Sequence, residues 1–171
     1  ARFIVETHAH ISTLYKPVPT QNRNWPGESE VFDNSEMCLY DMGRYGIDIC
    51  FIKSPSQLGP SNDFHAQMVA NNPDKFRAFC LDQTQKLKVA RGETEWDLGA
   101  SAAEVEEALE TGNFIGIGEF VPRDWHPRKV YTLEERLSEW RVFMDLARRY
   151  GVTIDYHEFS NGYEWDHWKL L

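Results

Sequence analysis

Apolar residues gather in five short, nearly continuous runs: Phe3 to Thr7, Ile49 to Lys53, Phe76 to Leu81, Phe114 to Phe120 and Val152 to His157. They are rich in Phe, Ile, Val and Cys, and none alternates strictly with polar residues. Strands covered on both faces read this way, as the strands of parallel sheets do. Between the runs the period becomes helical. Ser101 and Glu104 have the spacing of a capping box, Ala102, Val105, Ala108 and Leu109 follow on one stripe, and Gly112 marks a stop. Thr132 and Glu135 repeat the device ahead of Leu133, Leu137, Trp140, Met144 and Ala147, with Gly151 as the stop. Two earlier helices are predicted from Asn34 or Ser35 to Gly46, and from Ser61 or Asn62 to Pro73.

This order, β-α-β-α-β-α-β-α-β, requires parallel strands joined by right-handed crossovers. The connections over residues 12–33 and 83–99 are long and read as loops. Both follow the C-terminal end of a strand, the edge where α/β proteins place their sites, and long loops there often act as lids or substrate walls. No internal repeat, low-complexity tract or linker divides the chain, so residues 1–171 read as a single α/β domain.

Composition narrows the function more than the fold. Eighteen basic residues against 27 acidic ones give a net charge of −9, and no basic stripe supports a nucleic-acid partner. No apolar stretch approaches the ~20 residues of a membrane span, and no signal peptide opens the chain. Cys38, Cys50 and Cys80 are odd in number and widely spaced, with no CxxC pair. They read as reduced, buried thiols of a cytoplasmic protein. The expected partner is a small molecule.

The chemistry concentrates in "FIVETHAHIS", residues 3 to 12. Strand side chains alternate, so His8 and His10 face one side, roughly 6–7 Å apart along the chain, at the C-terminal end of the first strand. Two imidazoles so placed can grip one divalent ion. His157 ends the fifth strand in the equivalent place, and Glu119 ends the fourth. Three histidines converging from strand ends can leave metal positions open for water or substrate. A glutamate on a buried strand is costly unless it is paired or bound to metal, and Arg123 is an alternative partner for it. Lys53 and Arg123 could receive a substrate carboxylate, and Trp25 in the first long loop could pack on a ring. His65 and His126 read as surface residues, and His167 as a surface or packing residue.

These phrases resemble the amidohydrolase superfamily, and more closely its amidohydrolase-2 branch of aminocarboxymuconate semialdehyde decarboxylase-like enzymes. The resemblance rests on "ETHAHIS", "MGRYGIDICFI", "NDFHAQMVANNPDKFRAFCLD", "EEALETGNFIGIGEF" and "DLARRYGVTIDYHEF", in that order. It implies a (β/α)8 TIM barrel, seen here over its first five strands, with a metal at the C-terminal strand ends. His8, His10 and His157 would be ligands. Glu119 falls where TatD-like members carry a metal-binding glutamate, and it is a candidate second-metal or acid/base residue. Three imidazoles favour Zn²⁺, and a carboxylate-rich ligand set would admit Mn²⁺. The resemblance also suggests a homodimer.

The family's strand-six histidine and strand-eight aspartate have no counterpart by Leu171. The sequence therefore reads as part of a longer chain, with a stable fragment or two copies completing one barrel as alternatives. The leading expectation is a metal-dependent hydrolase or non-oxidative decarboxylase acting on a small carboxylated, aromatic or lactone substrate. The alternatives are a TatD-like metal phosphodiesterase and a non-catalytic metal-binding or assembly subunit.

Overall fold

The structure, a computed structural model, describes residues 2–11, 13–15, 29–31, 33–54, 60–90, 92–120 and 132–156. Seven strands and five helices follow one another along these segments: β1 (Val5–Ala9), β2 (Thr13–Tyr15), β3 (Ser29–Val31), α1 (Ser35–Tyr45), β4 (Ile49–Ile52), α2 (Asn62–Asn71), β5 (Phe76–Cys80), α3 (Gln83–Ala90), α4 (Leu98–Glu110), β6 (Phe114–Phe120), α5 (Leu133–Tyr150) and β7 (Thr153–Tyr156). Strands β1, β4, β5, β6 and β7 form one sheet in that order, every pair parallel. This is the alternation read from the apolar runs. The first strand starts two residues later than expected, leaving Phe3 exposed, because Ile4 gives its N–H to the Asp48 carboxylate (2.7 Å) rather than to a neighbouring strand.

Helix ends follow the local chemistry with two corrections. At α5 the Thr132–Glu135 capping box forms in both directions, and Gly151 closes the helix in the left-handed region at φ 65°. The Ser101–Glu104 box does not form. Helix α4 begins four residues earlier than that box implies, where the Asp97 carboxylate caps the Ala100 N–H at 2.7 Å. Ser101 is instead buried and donates its hydroxyl to Asp82, while Glu104 accepts from the Thr84 and Gln85 N–H groups (2.7 and 2.8 Å). Those two amides open α3, so Glu104 caps a neighbouring helix rather than its own. Helix α3 lies in the stretch read as a loop. Its weak apolar pattern, QTQKLKVA, hides it in the sequence, and the buried Asp82–Lys86 pair (2.8 Å) anchors it. The other long connection carries β2 and β3, paired antiparallel.

The helices cover the outer side of the sheet. Met42 and Met68 come from α1 and α2, Val105 and Leu109 from α4, and Leu137, Trp140, Phe143 and Leu146 from α5, packing with Ile52, Ala78, Ile117 and Phe120. Phe120 stacks on Trp140 with ring centroids 5.1 Å apart and an interplanar angle of 9°.

The sheet is strongly curled. In a flat sheet β1 and β6, three spacings apart, would be separated by about 14 Å. Yet side chains from those two strands meet at 3.3 and 3.5 Å. A second link joins Lys53, just past β4, to Asp155 on β7 at 2.7 Å. Curling gives the sheet a concave inner side, and both contacts lie at its C-terminal edge.

Candidate metal centre

Strand irregularities fall where the first functional side chains project. Along β1 and β4, Glu6 pairs with Cys50 and Ala9 with Ile52, so Thr7 and His8 together oppose Phe51. Along β6 and β7, Ile117 pairs with Ile154 and Phe120 with Tyr156, so Gly118 and Glu119 together oppose Asp155. Bulges of this kind re-aim side chains and increase local twist. Here one bulge contains His8 and the other contains Glu119.

Three ligand atoms converge as a result. His8 Nε2 lies 3.0 Å from His10 Nε2, and Glu119 Oε2 lies 3.5 Å from the first and 3.3 Å from the second. A tetrahedral ion with bonds of 2.0–2.2 Å separates its ligand atoms by about 3.3–3.6 Å. The triangle is close to that size, and each corner is an atom that can donate a lone pair. Two imidazoles and a carboxylate suit zinc, with manganese also compatible. His8, His10 and Glu119 are thus a donor set that fits one divalent ion.

The surroundings hold these groups in their ligating forms. His10 Nδ1 is 3.0 Å from the Lys53 carbonyl oxygen. A proton on Nδ1 makes that bond and leaves Nε2 as a lone pair facing the cluster. The Lys53 N–H donates in turn to Ala9 O at 3.0 Å, so one residue of the second barrel strand fixes the end of the first. The His8 N–H donates to the Glu6 carboxylate at 3.0 Å. Partial burial lowers the His8 pKa below the usual histidine value, and the Lys53 ammonium and His10 push it the same way, against smaller opposing effects of Asp155 and Glu6. Neutral imidazole is the form that binds metal. The cluster has one deep and one open side, with the Glu119 side chain 6% exposed and those of His8 and His10 44% and 35%.

Lys53 is buried rather than solvated. Its ammonium pairs with Asp155 at 2.7 Å and stands 4.9 Å from the centre of the Phe79 ring. Asp155 was not singled out from the sequence. The only signal was an acid inside the apolar run VTIDYH, which acquires meaning once the sheet curls Lys53 towards it. Glycine permits this closeness. A Cβ on Gly118 would stand 2.7 Å from Asp155 O and 2.8 Å from Asp155 Cβ, and one on Gly116 would meet the Phe79 ring at 2.3 Å.

His157, Arg123 and Trp25, with His126 and His167, lie outside the described residues. The reading of His65 as a surface residue is wrong. It is fully buried on α2, with Nδ1 3.4 Å from Ser54 Oγ, and Ser54 donates to Pro60 O at 3.0 Å. This face of α2 packs against Ser54, just past β4, and Pro60.

No family model matches the sequence, and no curated protein matches it. Solved structures do match. One is a probable 2-pyrone-4,6-dicarboxylic acid hydrolase from Acinetobacter baumannii with citric acid bound, at a TM-score of 0.57 and 11% identity, covering 92% of this chain and 50% of that one. Another is a 2,6-dihydroxybenzoate decarboxylase complexed with 2,6-dihydroxybenzoate, at a TM-score of 0.51 and 20% identity, covering 80% of this chain and 44% of that one. The fold is a partial TIM barrel. The partial barrel spans about half the length of each neighbour. Its cluster occupies the C-terminal edge of the strands, where barrels of this type carry their chemistry.

Proposed function

We propose that this chain carries part of the active site of a metal-dependent hydrolase or non-oxidative decarboxylase acting on a small carboxylated aromatic or lactone substrate. The observation that carries the reading is the convergence of His8 Nε2, His10 Nε2 and Glu119 Oε2 within 3.0–3.5 Å of one another. The family resemblance adds His157 as a fourth ligand, and the names of the two structural neighbours supply the two reaction types.

Zn²⁺, or Mn²⁺ in its place, would be held by His8, His10 and Glu119 and would supply Lewis-acid polarisation of a substrate oxygen or activation of a water. The chain's own residues provide the rest. The Lys53 carbonyl keeps His10 in the tautomer that presents Nε2. Glu119, nearly buried, is the carboxylate placed to take or return a proton at the cluster. Lys53 with Asp155 brings an ammonium to the inner wall, and Arg123 and Trp25 are assigned, from the sequence, to the substrate's carboxylate and ring. A homodimer and a cytoplasmic location complete the reading.

The test is metal content per chain after chelator treatment and reconstitution, for the wild type and for His8→Ala with His10→Ala. About one zinc or manganese per wild-type chain, lost in the double variant while its circular dichroism is retained, supports the centre. Turnover of pyrone carboxylates and dihydroxybenzoates, compared in the same preparations, then separates hydrolysis from decarboxylation.

The position of Glu119 in the cluster favours a second reading, the TatD-like phosphodiesterase. Cleavage of bis(p-nitrophenyl) phosphate with no turnover of any carboxylate would select it. Metal binding with neither activity in a folded protein would select the non-catalytic reading.

A further inference from the structure

Past the end of β4 the sheet no longer holds the chain. The last β1–β4 pair in register is Ala9 with Ile52, where the strand stops. Lys53 adds one more backbone bond, its N–H to Ala9 O at 3.0 Å, and its carbonyl oxygen lies 3.0 Å from His10 Nδ1. That carbonyl belongs to the peptide unit that joins Lys53 to Ser54. Its direction therefore depends on what fixes Ser54, a residue outside every strand and helix.

Ser54 is fixed by its side chain. It is 1% exposed, and its hydroxyl donates to Pro60 O at 3.0 Å. His65 Nδ1 stands 3.4 Å from the same hydroxyl oxygen. A serine hydroxyl has one proton, and here Pro60 O takes it, so the His65 contact forms with the imidazole proton on Nδ1. Both partners belong to a rigid frame. Pro60 is fully buried, and Ser61 beside it caps α2 by accepting from the Phe64 N–H at 3.3 Å. Asn62, the first residue of α2, makes two bonds with Leu81, just past β5. Its Nδ2 donates to Leu81 O at 2.9 Å, and its Oδ1 accepts from the Leu81 N–H at 3.0 Å. Hydrogen bonds thus run from the end of β5 into the start of α2, from there to Ser54, and through the Lys53 carbonyl to the ring of His10.

We propose that Ser54, given the metal centre put forward above, is a positioning residue for it. Held by Pro60 O and His65, Ser54 sets the Lys53 carbonyl, and that carbonyl selects the tautomer and ring orientation of His10. Without the Ser54 hydroxyl the peptide unit can turn, and the His10 proton is then shared between Nδ1 and Nε2. A proton on Nε2 blocks the atom that faces His8 and Glu119. Outer groups that orient a ligand histidine are worth about 10- to 100-fold in metal affinity.

The experiment compares the wild-type chain with Ser54→Ala in two measurements. The first is the His10 tautomer in the metal-free protein, read from long-range ¹H–¹⁵N correlations at pH 8, where imidazole is neutral. The second is zinc affinity by chelator competition. Val105→Ala, a core truncation on the outer side of the sheet, controls for lost stability. The wild type is expected to hold the His10 proton on Nδ1. Ser54→Ala is expected to divide it between both nitrogens and to bind zinc about 10- to 100-fold more weakly, while Val105→Ala matches the wild type in both respects. Should Ser54→Ala fail to fold, Ser54→Cys, a weaker donor of similar size, takes its place with changes of the same sign. The proposal is overturned if the folded Ser54 variant keeps either the wild-type tautomer or the wild-type zinc affinity, or if Val105→Ala weakens zinc binding equally. A wild type that takes up no zinc overturns the metal centre instead, and the tautomer comparison, made without metal, still decides whether Ser54 sets His10.

Discussion

The Lys53 ammonium lies 2.7 Å from the Asp155 carboxylate, inside the curl that brings the end of β4 to β7. The two partners are unequally buried, with side chains 4% and 29% exposed. Removing one half of a buried pair leaves the other as an uncompensated charge, at a cost of about 3–5 kcal/mol when that charge is fully enclosed.

The loss should therefore depend on which partner is removed. Asp155→Asn strands an ammonium that water cannot reach and is expected to cost about 3–5 kcal/mol. Lys53→Met strands a carboxylate that water already touches, and is expected to cost about 1–2 kcal/mol, near the lower bound for an unsatisfied polar group. Urea denaturation midpoints of the two variants, at equal m-values, check the order. Equal losses would mean that the side chains are equally solvated in solution.

His65 is expected to give the protein an acid-sensitive stability. Burial, with a smaller contribution from His10, lowers its pKa to about 4 from the 6.5 of an unfolded chain. Between those values the unfolded chain binds a proton that the folded one refuses, so stability rises with pH across the window. Above pH 6.5 both states are neutral and the contribution is complete. As pH falls towards 4 it is lost, to an extent of about 3 kcal/mol. His65→Gln, which keeps a polar group near Ser54 but cannot take the proton, should flatten this part of the profile in denaturation curves taken from pH 7 to 4.

Burial of this kind marks the boundary of what could be read from residue order. The five runs, the Thr132–Glu135 cap and the HxH pair depend on neighbours within a few positions, and each is found close to its expected place. Glu119 was legible too, as an acid ending an apolar run. The failures need partners remote in the chain. Ser101 and Glu104 have capping-box spacing, yet each is taken up by the start of α3 and the residue before it, through Asp82, Thr84 and Gln85. Asp155 acquires its role from Lys53 only because the sheet curls, and His65 is buried beside Ser54, eleven residues before it. Helix α3 was missed because a buried ion pair, not an apolar stripe, secures it.

The close passage at Gly118 supplies another test. A methyl group there would stand 2.7 Å from the Asp155 carbonyl oxygen, with φ at +154° adding strain. Because the neighbour is backbone, relief requires β6 and β7 to separate. Gly118→Ala is expected to cost about 1–3 kcal/mol, the range for overpacking a close contact. It should also displace Glu119, so metal affinity should fall even at temperatures where the variant stays folded. Chelator competition on the folded variant measures that second effect separately.

Glu119→Gln tests the cluster with the least disturbance of shape. The amide keeps an oxygen near His8 and His10 but removes the charge opposite them, 3.5 and 3.3 Å away. Loss of a group that only orients a ligand costs about 10- to 100-fold in metal affinity, so loss of a ligand's charge should cost at least about 100-fold. Stability of the metal-free protein should change less, because the amide keeps the carboxylate's shape and an oxygen beside His8 and His10, which are imidazoles rather than permanent cations. Zinc titration against a competing chelator, paired with thermal unfolding in the presence of excess chelator, reads the two quantities independently. Weakened zinc binding with an unchanged metal-free midpoint identifies Glu119 as a ligand. An unchanged affinity would remove it from the centre and leave His8 and His10 as the ligands there.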